Sequence, residues 1–484
     1  FFFKQKTAYE IRNCDWSSDV CSSDLQNTAS GVQSLYNNTT GSSNTATGYQ
    51  SLLSNIDGYS NTASGANSLY SNTNGFFNTA SGSQSLFYNT TGISNTASGV
   101  QSLFSNTTGY ENTASGVYSL YSNTTGAQNI AFGNKSLYYN TTGNFNTASG
   151  AYSLYNNTTG DNNTAYGLKS LYSNTDGFSN TASGVYSLYS NTSGFGNTAA
   201  GYESLYYNTT GNGNTASGYQ SLYNNISAIQ NTAIGYIALN SNTTGDYNAA
   251  LGASALSSNS TGYRNSAIGA GAMYKNTVGA TNVAIGFESA HENNSGSGNV
   301  AIGYNSFYNN TVGNLNTIIG NLAGVNLTSG SNNIVIGNNA SASSATVNNE
   351  VTVGNTSNNA YRIYGTWTNI SDAKLKHNIK EIPVGLDFIK KLRPVEFVYN
   401  NARNEETSFG FIAQEVLETV RNSGVVNSGL VTPFDDKNLG LKTTDLIAPL
   451  VKAIQEQQKQ IDDLNKQNNL LQNNNDAMQN ENEG

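Results

Sequence analysis

The residues best suited to chemistry lie in one short stretch, Ser371-Asp372-Ala373-Lys374-Leu375-Lys376-His377. A serine hydroxyl is a poor nucleophile until a base removes its proton. A lysine can do this only when neutral, so Lys376 would need its pKa drawn down from ~10.4 by burial or by a neighbouring cation such as Lys374. On residue types alone, Ser-Asp followed by lysine reads as a helix cap and His377 as a bystander. Elsewhere the chain offers little. His291 is the only other histidine, in a column of aromatic residues, and reads as a surface substitution. The acidic residues Asp57, Glu111, Asp161, Asp176 and Glu203 are sporadic, whereas a calcium-binding repeat array needs a recurring Asp. Asn-Thr-Thr is formally an N-glycan acceptor, but its recurrence reads as a turn. No metal site and no cofactor are expected.

The elements that must carry this segment begin with a repeat. From Gly31 to Gly354 a glycine recurs every 17 residues, twenty times without a slip. The unit reads N-T-A-S-G-x-x-S-L-Y-x-N-T-T-G-x-x, and its second glycine column fails at Ala228. Leu fills one position in fourteen successive units, Leu35 to Leu256, and must be interior; the aromatic column beside it (Tyr36, Tyr70, Phe87, Tyr121) is expected half-buried. Ala of N-T-A forms a third column, where small size suggests close approach of backbone or of a neighbouring chain. Two short strands per unit, N-T-A-S-G and x-S-L-Y-x, fit the length and the Thr/Tyr content. All four prolines (Pro383, Pro394, Pro433, Pro449) lie beyond the repeats, as a stack of paired strands requires. One unit buries too little to fold alone, so stacking is obligatory. Twenty rungs predict a fibrous solenoid about 95 Å long.

Near Asn282 the unit changes. N-T-A-S-G becomes Val283-Ala284-Ile285-Gly286 and Val300-Ala301-Ile302-Gly303, so both faces of the strand turn apolar: one for the chain's own core, the other for a partner. These units resemble the head repeats of trimeric autotransporter adhesins, parallel β-rolls that associate in threes, although that family's units are shorter. The threonine columns leave a glycan-binding or ice-binding face as an alternative to plain strand filler.

The whole chain has 484 residues, a net charge of −9, 11% charged residues, 49 Gly, 31 Tyr and 2 Cys. Average proteins are about 25% charged. With 21 Lys+Arg there is no basic footprint for nucleic acid, and no run approaches the ~20 apolar residues of a membrane span. Aromatics at 11% argue against disorder. Two cysteines build no disulfide scaffold, and both, Cys14 and Cys21, fall in residues 1–25, a segment that resembles translated sequencing-adapter read-through. On that reading the protein starts in mid-repeat near Gln26. The expected organisation is then repeats over 26–354, a closing strand over 355–370, a small α+β module over 371–445 and a helix with a polar tail over 446–484.

In that last part, charge and proline return. Val384 to Leu392 reads as an amphipathic helix stopped by Arg393-Pro394, VEFVYN as a strand, and GFIAQEVLETV as strand into helix. A long helix runs from Thr444, its expected N-cap, with Pro449 in the first turn. It has a heptad seam with Ile447, Ile454, Ile461, Asn468 and Asn475 at a, and Leu450, Gln457, Leu464, Leu471 and Met478 at d. A coiled coil is the leading reading and a helix packed on its own module the alternative.

Four motifs in order, S-D-x-x-L-K-x-N-I, G-L-D-x-I-x-K-L-x-P-V-x-F, G-F-I-A-Q-E-V and L-I-A-P-L-V-K-A-I-Q-E, resemble the intramolecular chaperone auto-processing domain that ends phage endosialidases, tail spikes and many bacterial surface proteins. The resemblance covers residues 369–465. It implies a module that trimerises, promotes assembly of the β-fibre before it and then cuts itself off, with Ser371 as nucleophile, Lys376 as base and the cut between Ile370 and Ser371. Lys374 stands where many relatives carry Arg. The implied setting is a virion tail fibre or cell-surface adhesin, with the chain itself as partner and a host-cell glycan or receptor as its target. The reading is of a mostly β chain, a parallel β-solenoid fibre followed by a small α+β chaperone module and a coiled-coil helix.

Overall fold

The strand-forming part of each 17-residue unit is only three residues long, and it pairs solely with its counterparts one unit away. The structure is a computed structural model that describes residues 25–358, 371–400, 407–425, 428–433 and 438–482. Twenty such strands, β1 (Thr28–Ser30) to β20 (Val351–Val353), form one parallel sheet. Identical positions stack in register, as in Ala29↔Ala46 and Ala114↔Ala131. The chain forms two compact units. The first runs through Ala340 and includes Asn348–Val351; the second takes Ser341–Val347 and Thr352 onward. Of the segment 355–370 expected to hold the closing strand, 355–358 form a turn, and 359–370, Ile370 among them, lie outside the described residues.

The rung from Asn112 to Gln128 serves for all. Of its strand Thr113-Ala114-Ser115 only Ala114 faces in. With Ser119, Leu120, Asn112 and Asn123 it makes up the interior, all fully buried. Two of these five are apolar, so the interior is held largely by hydrogen bonds. Asn112 Nδ2 donates to Asn95 Oδ1 (3.1 Å) and to Gly126 O (2.9 Å). Asn123 Nδ2 donates to Asn106 Oδ1 (2.8 Å) and to the same Gly126 O (2.9 Å). The two asparagine columns thus form amide ladders that meet on one backbone carbonyl in this rung, each buried amide bonded to its copy in the preceding rung. Asn123 heads an Asn-Thr-Thr triplet, so its glycan-acceptor nitrogen is buried and occupied.

The expected second strand is not one. Ser119-Leu120-Tyr121 lies in a run of turns, and three non-glycine residues of the rung, Tyr118 (φ 60°), Leu120 (φ 49°) and Gln128 (φ 58°), are left-handed. Each costs on the order of 1–2 kcal/mol. Their N–H groups all donate to neighbouring rungs, to Val100 O (3.0 Å), Ser136 O (2.9 Å) and Tyr110 O (2.9 Å). The inter-rung ladder, not strand geometry, therefore fixes this path and turns Leu120 inward.

Half-buried beside the leucines, nine consecutive ring stackings run from Tyr70 to Tyr223 with centroids 4.9–5.3 Å apart. His291 extends a similar stack between Tyr274 (5.1 Å) and Tyr308 (4.9 Å), its Nδ1 2.9 Å from Glu292. Burial first, then hydrogen bonds with Tyr139 and Tyr207, push Tyr155 and Tyr223 up to about 12. The fold thus favours the neutral phenol. That stabilisation is complete below pH ~10 and is lost as pH rises through ~12. Ultraviolet titration of tyrosinate is expected to resolve a late-ionising class containing these rings, and melting temperature is expected to fall across the same interval.

Ala228, the one exception in the second glycine column between Gly41 and Gly330, shows why glycine stands there. At Gly211 an added Cβ would lie 2.4 Å from Asn208 Oδ1 and 2.5 Å from Ala228 O. Where Ala228 supplies that carbon, the ladder gives way: Asn231 Nδ2 reaches only Asn214 Oδ1, at 3.3 Å, without the bond to a backbone carbonyl that its counterparts make at 2.8 Å, Asn214 to Ala228 O and Asn248 to Gly262 O. Ala228→Gly is expected to stabilise the solenoid by about 1 kcal/mol, roughly one restored hydrogen bond, in a thermal or denaturant melt.

Candidate functional site

The module after the solenoid is a thin layer around one core. Short helix α1 (Leu386–Ile389), helix α2 (Ala413–Asn422) and the long helix α3 (Ile447–Asn482) accompany two antiparallel pairs, β21 (Val395–Phe397) with β22 (Ser408–Gly410) and β23 (Val431–Pro433) with β24 (Leu439–Leu441). Phe388, Val416, Val420, Leu430 and Leu446 form the core. α1 is shorter than expected because its backbone tightens after Ile389, with Lys391 N–H donating to Phe388 O (3.0 Å) and Leu392 N–H to Ile389 O (3.2 Å). Thr444 does not cap α3; it sits inside a 3-10 turn, Thr443–Leu446, that leads into the helix, with Pro449 in the helix's first turn.

The motifs interlock in pairs. Arg393, before Pro394, forms a bidentate ion pair with Glu415 of α2. The guanidinium holds the Glu415 carboxyl below the usual range. From α3, Glu456 Oε2 accepts the Leu386 N–H at 2.7 Å, and Lys452 Nζ donates to Ile382 O. Gly385 leaves room for this contact, since an added Cβ would meet the Glu456 carboxylate at 2.4 Å and push it off the Leu386 N–H. The contacts involve Leu446 and Ala453, which are buried on the module side, whereas Ile447 (59% exposed), Ile454 (64%) and Leu464 (58%) of the heptad seam stay out. The start of α3 thus packs on its own module, as the alternative reading has it, while these seam residues stay exposed in the single chain.

Upstream of this clamp the chemistry-bearing segment is exposed from Ser371 to Glu381. Asp372, not Ser371, is the cap: its Oδ1 accepts the Lys374 N–H at 2.9 Å and opens the 3-10 turn Ala373–Leu375. That turn folds the chain back far enough for Lys376 Nζ to donate to Ser371 Oγ at 2.5 Å. Asn378 follows with φ 54°, a left-handed conformation that asparagine tolerates better than most residues. Leu375 and Ile379 are 70% and 71% exposed. The segment thus brings nucleophile and base candidates into contact, while its acyl partner Ile370 lies outside the described residues. Sequence reasoning read the Ser-Asp pair as a cap but missed the parts played by Asn378, Gly385, Lys452 and Glu456. Among the described residues no cluster could hold a metal ion, and no helix is long and apolar enough to cross a membrane.

Residues 371–425 match the family model described as chaperone of endosialidase. The match opens on Ser371 itself. Comparison with curated proteins and with solved structures gives no match. A segment similar to that chaperone, after a β-solenoid, fits a phage tail or surface fibre.

Proposed function

From a family match confined to residues 371–425, we propose that the C-terminal module assembles copies of the solenoid into a fibre and then releases itself by cutting the Ile370–Ser371 bond. The observation that carries this reading is the 2.5 Å contact between Lys376 Nζ and Ser371 Oγ. Neutral Lys376 takes the hydroxyl proton, Ser371 Oγ attacks the Ile370 carbonyl carbon, and the C–N bond breaks as the proton passes to the departing Ser371 nitrogen. The product is an ester between Ile370 and the Ser371 side chain. One water hydrolyses it, leaving a free carboxylate on Ile370 and Ser371 as a new N-terminus. Each chain turns over once.

Two features support coupling of this step to assembly. Leu375 and Ile379, which flank Lys376, are bare in the single chain, as are the seam residues of α3. A neighbouring copy that covered them would desolvate the dyad, and burial is what makes a lysine neutral. The test is the mass of the expressed chain. Two fragments meeting at Ile370/Ser371 are expected, and an intact chain recovered from fully assembled protein would refute the cut. A host-cell glycan or receptor remains the expected target of such a fibre.

A further inference from the structure

We infer that Tyr118, Lys135, Tyr152, Lys169 and Tyr186 form a strip along the solenoid that binds a linear acidic polysaccharide, one that carries a carboxylate on every second sugar. The inference rests on the reading of a glycan as the fibre's target and gives that target a place and a charge. The five residues hold one position in five successive rungs. The five rungs before them carry Gln33, Gln50, Asn67, Gln84 and Gln101 there. Where adjacent rungs both have glutamine the amides bond to each other, Gln50 Nε2 to Gln33 Oε1 and Gln101 Nε2 to Gln84 Oε1, both at 2.6 Å.

The fold does not ask for alternating tyrosine and lysine. The backbone at this position is left-handed whichever residue it carries, with φ 57° at Gln84, 60° at Tyr118 and 54° at Lys135, and a bulky ring is a costly choice in that region. Lys135 and Lys169 are the only basic residues between Gln26 and Tyr263, and the ion pairs among the described residues include neither. Their contacts are with rings. Lys135 Nζ lies 5.9 Å from the centroid of Tyr118 and 5.6 Å from that of Tyr152, and Lys169 Nζ 5.8 Å from that of Tyr186. Each ammonium thus keeps its charge available to an anion. In the stacked column beside the strip the ring faces are filled by neighbours, as where Tyr121 lies on Tyr138 and Tyr155 on Tyr172. Tyr118, Tyr152 and Tyr186 stand at 68°, 54° and 70° to that column, half-buried and outside the stack, and so retain aromatic surface to offer a ligand.

The period selects the ligand. Like groups recur every two rungs, about 9.6 Å at the spacing of paired strands. Carboxylates on one side of an extended peptide recur at about 6.6 Å, and the phosphates of a nucleic-acid strand at about 3.4 Å. Both are too closely spaced for the two lysines. A pair of linked pyranoses in an extended chain comes close to two rungs. The C–H-rich face of one sugar then packs on a tyrosine, and the carboxylate of the next reaches a lysine. Glu203 follows Tyr186 at the same position and sets a negative charge where the strip ends.

Binding of the full chain to hyaluronan and to unsulfated chondroitin, both built of alternating uronic acid and amino sugar, tests this at low ionic strength. The double variant Lys135→Gln/Lys169→Gln carries the residue that earlier rungs already hold at this position. It is expected to keep the parent's melting transition while its Kd for either polymer rises at least tenfold. Tyr152→Gln is expected to weaken binding at least threefold. Arg264→Gln removes a cation that lies over Tyr247 and Tyr263 at a different position of the rung, and should bind as the parent does. Converting the carboxylates of hyaluronan to methyl esters should cost as much as losing both lysines. Acid-dependent binding that survives Lys135→Gln/Lys169→Gln overturns the strip and leaves a glycan target standing, as does equal binding of the ester. Equal affinity for poly-glutamate overturns the choice of a saccharide. A parent chain that binds neither acidic polymer overturns the inference, and its binding to the ester would in that case keep a glycan target without this strip.

Discussion

Replacing Ser371 with alanine is expected to leave the chain in one piece. The hydroxyl is the only part of the proposed reaction that becomes bonded to the Ile370 carbonyl carbon, so its loss removes the step rather than slowing it, and cleavage is expected to fall by at least a thousandfold. Ser371 is exposed and caps nothing, since the turn is opened by Asp372. The substitution should therefore leave folding and assembly untouched. Lys376→Ala is expected to match it, whereas Lys376→Arg should keep the positive charge beside Oγ but fail as a base, because a guanidinium does not give up its proton at accessible pH. Mass spectrometry of purified oligomer reads all three. If Ser371→Ala still yields a fragment ending at Ile370, the nucleophile lies elsewhere; if Lys376→Arg cuts normally, the base does.

Gly150→Ala is expected to do the greatest damage to the fibre. Gly150 has φ +143°, a region that is essentially glycine's own, and an added Cβ would lie 2.5 Å from Gly167 O in the next rung. That oxygen is backbone and cannot swing aside as a side chain would. Relief requires the rungs to part, which lengthens the ladder bonds on both sides of the breach. A loss of about 4 kcal/mol or more is expected, at the exceptional end of single substitutions. Ser98→Ala, on the exposed outer face of β5, provides the comparison and should change stability by less than about 0.5 kcal/mol. Denaturant melts of both variants measure the difference. A Gly150→Ala protein as stable as its Ser98→Ala counterpart would show that the rungs are far looser than their spacing implies.

Periodicity makes much of the solenoid legible. Leu and Ala recur where the interior must be, and both columns are buried in the structure. The asparagines mislead because a single Asn in a sequence is most often a turn residue; only exact repetition lets its amide find an identical amide one rung away, as Asn112 finds Asn95. The Ser-Leu-Tyr segment misleads for a related reason. Leucine has no intrinsic liking for φ near +50°, and only the inter-rung bond from Leu120 N–H to Ser136 O holds it there. In the C-terminal module the four motifs are legible as strings, but their pairing is not. Leu386 and Glu456 are 70 residues apart, and no local pattern links a helix N–H to a carboxylate at that distance. The signal that points to it is the buried glycine of G-L-D, Gly385, a residue without a side chain in a stretch otherwise reading as helix.

The amide ladders carry a consequence for how such a chain can change over generations. Because each rung hands the next the same donors and acceptors at the same positions, removing or duplicating a whole 17-residue unit leaves no polar group stranded, while any other insertion within the unit orphans a buried amide. Fibre length is then a quantised trait. It can change in steps of about 4.8 Å by gain or loss of whole units, each new junction reusing ladder partners the fold already holds.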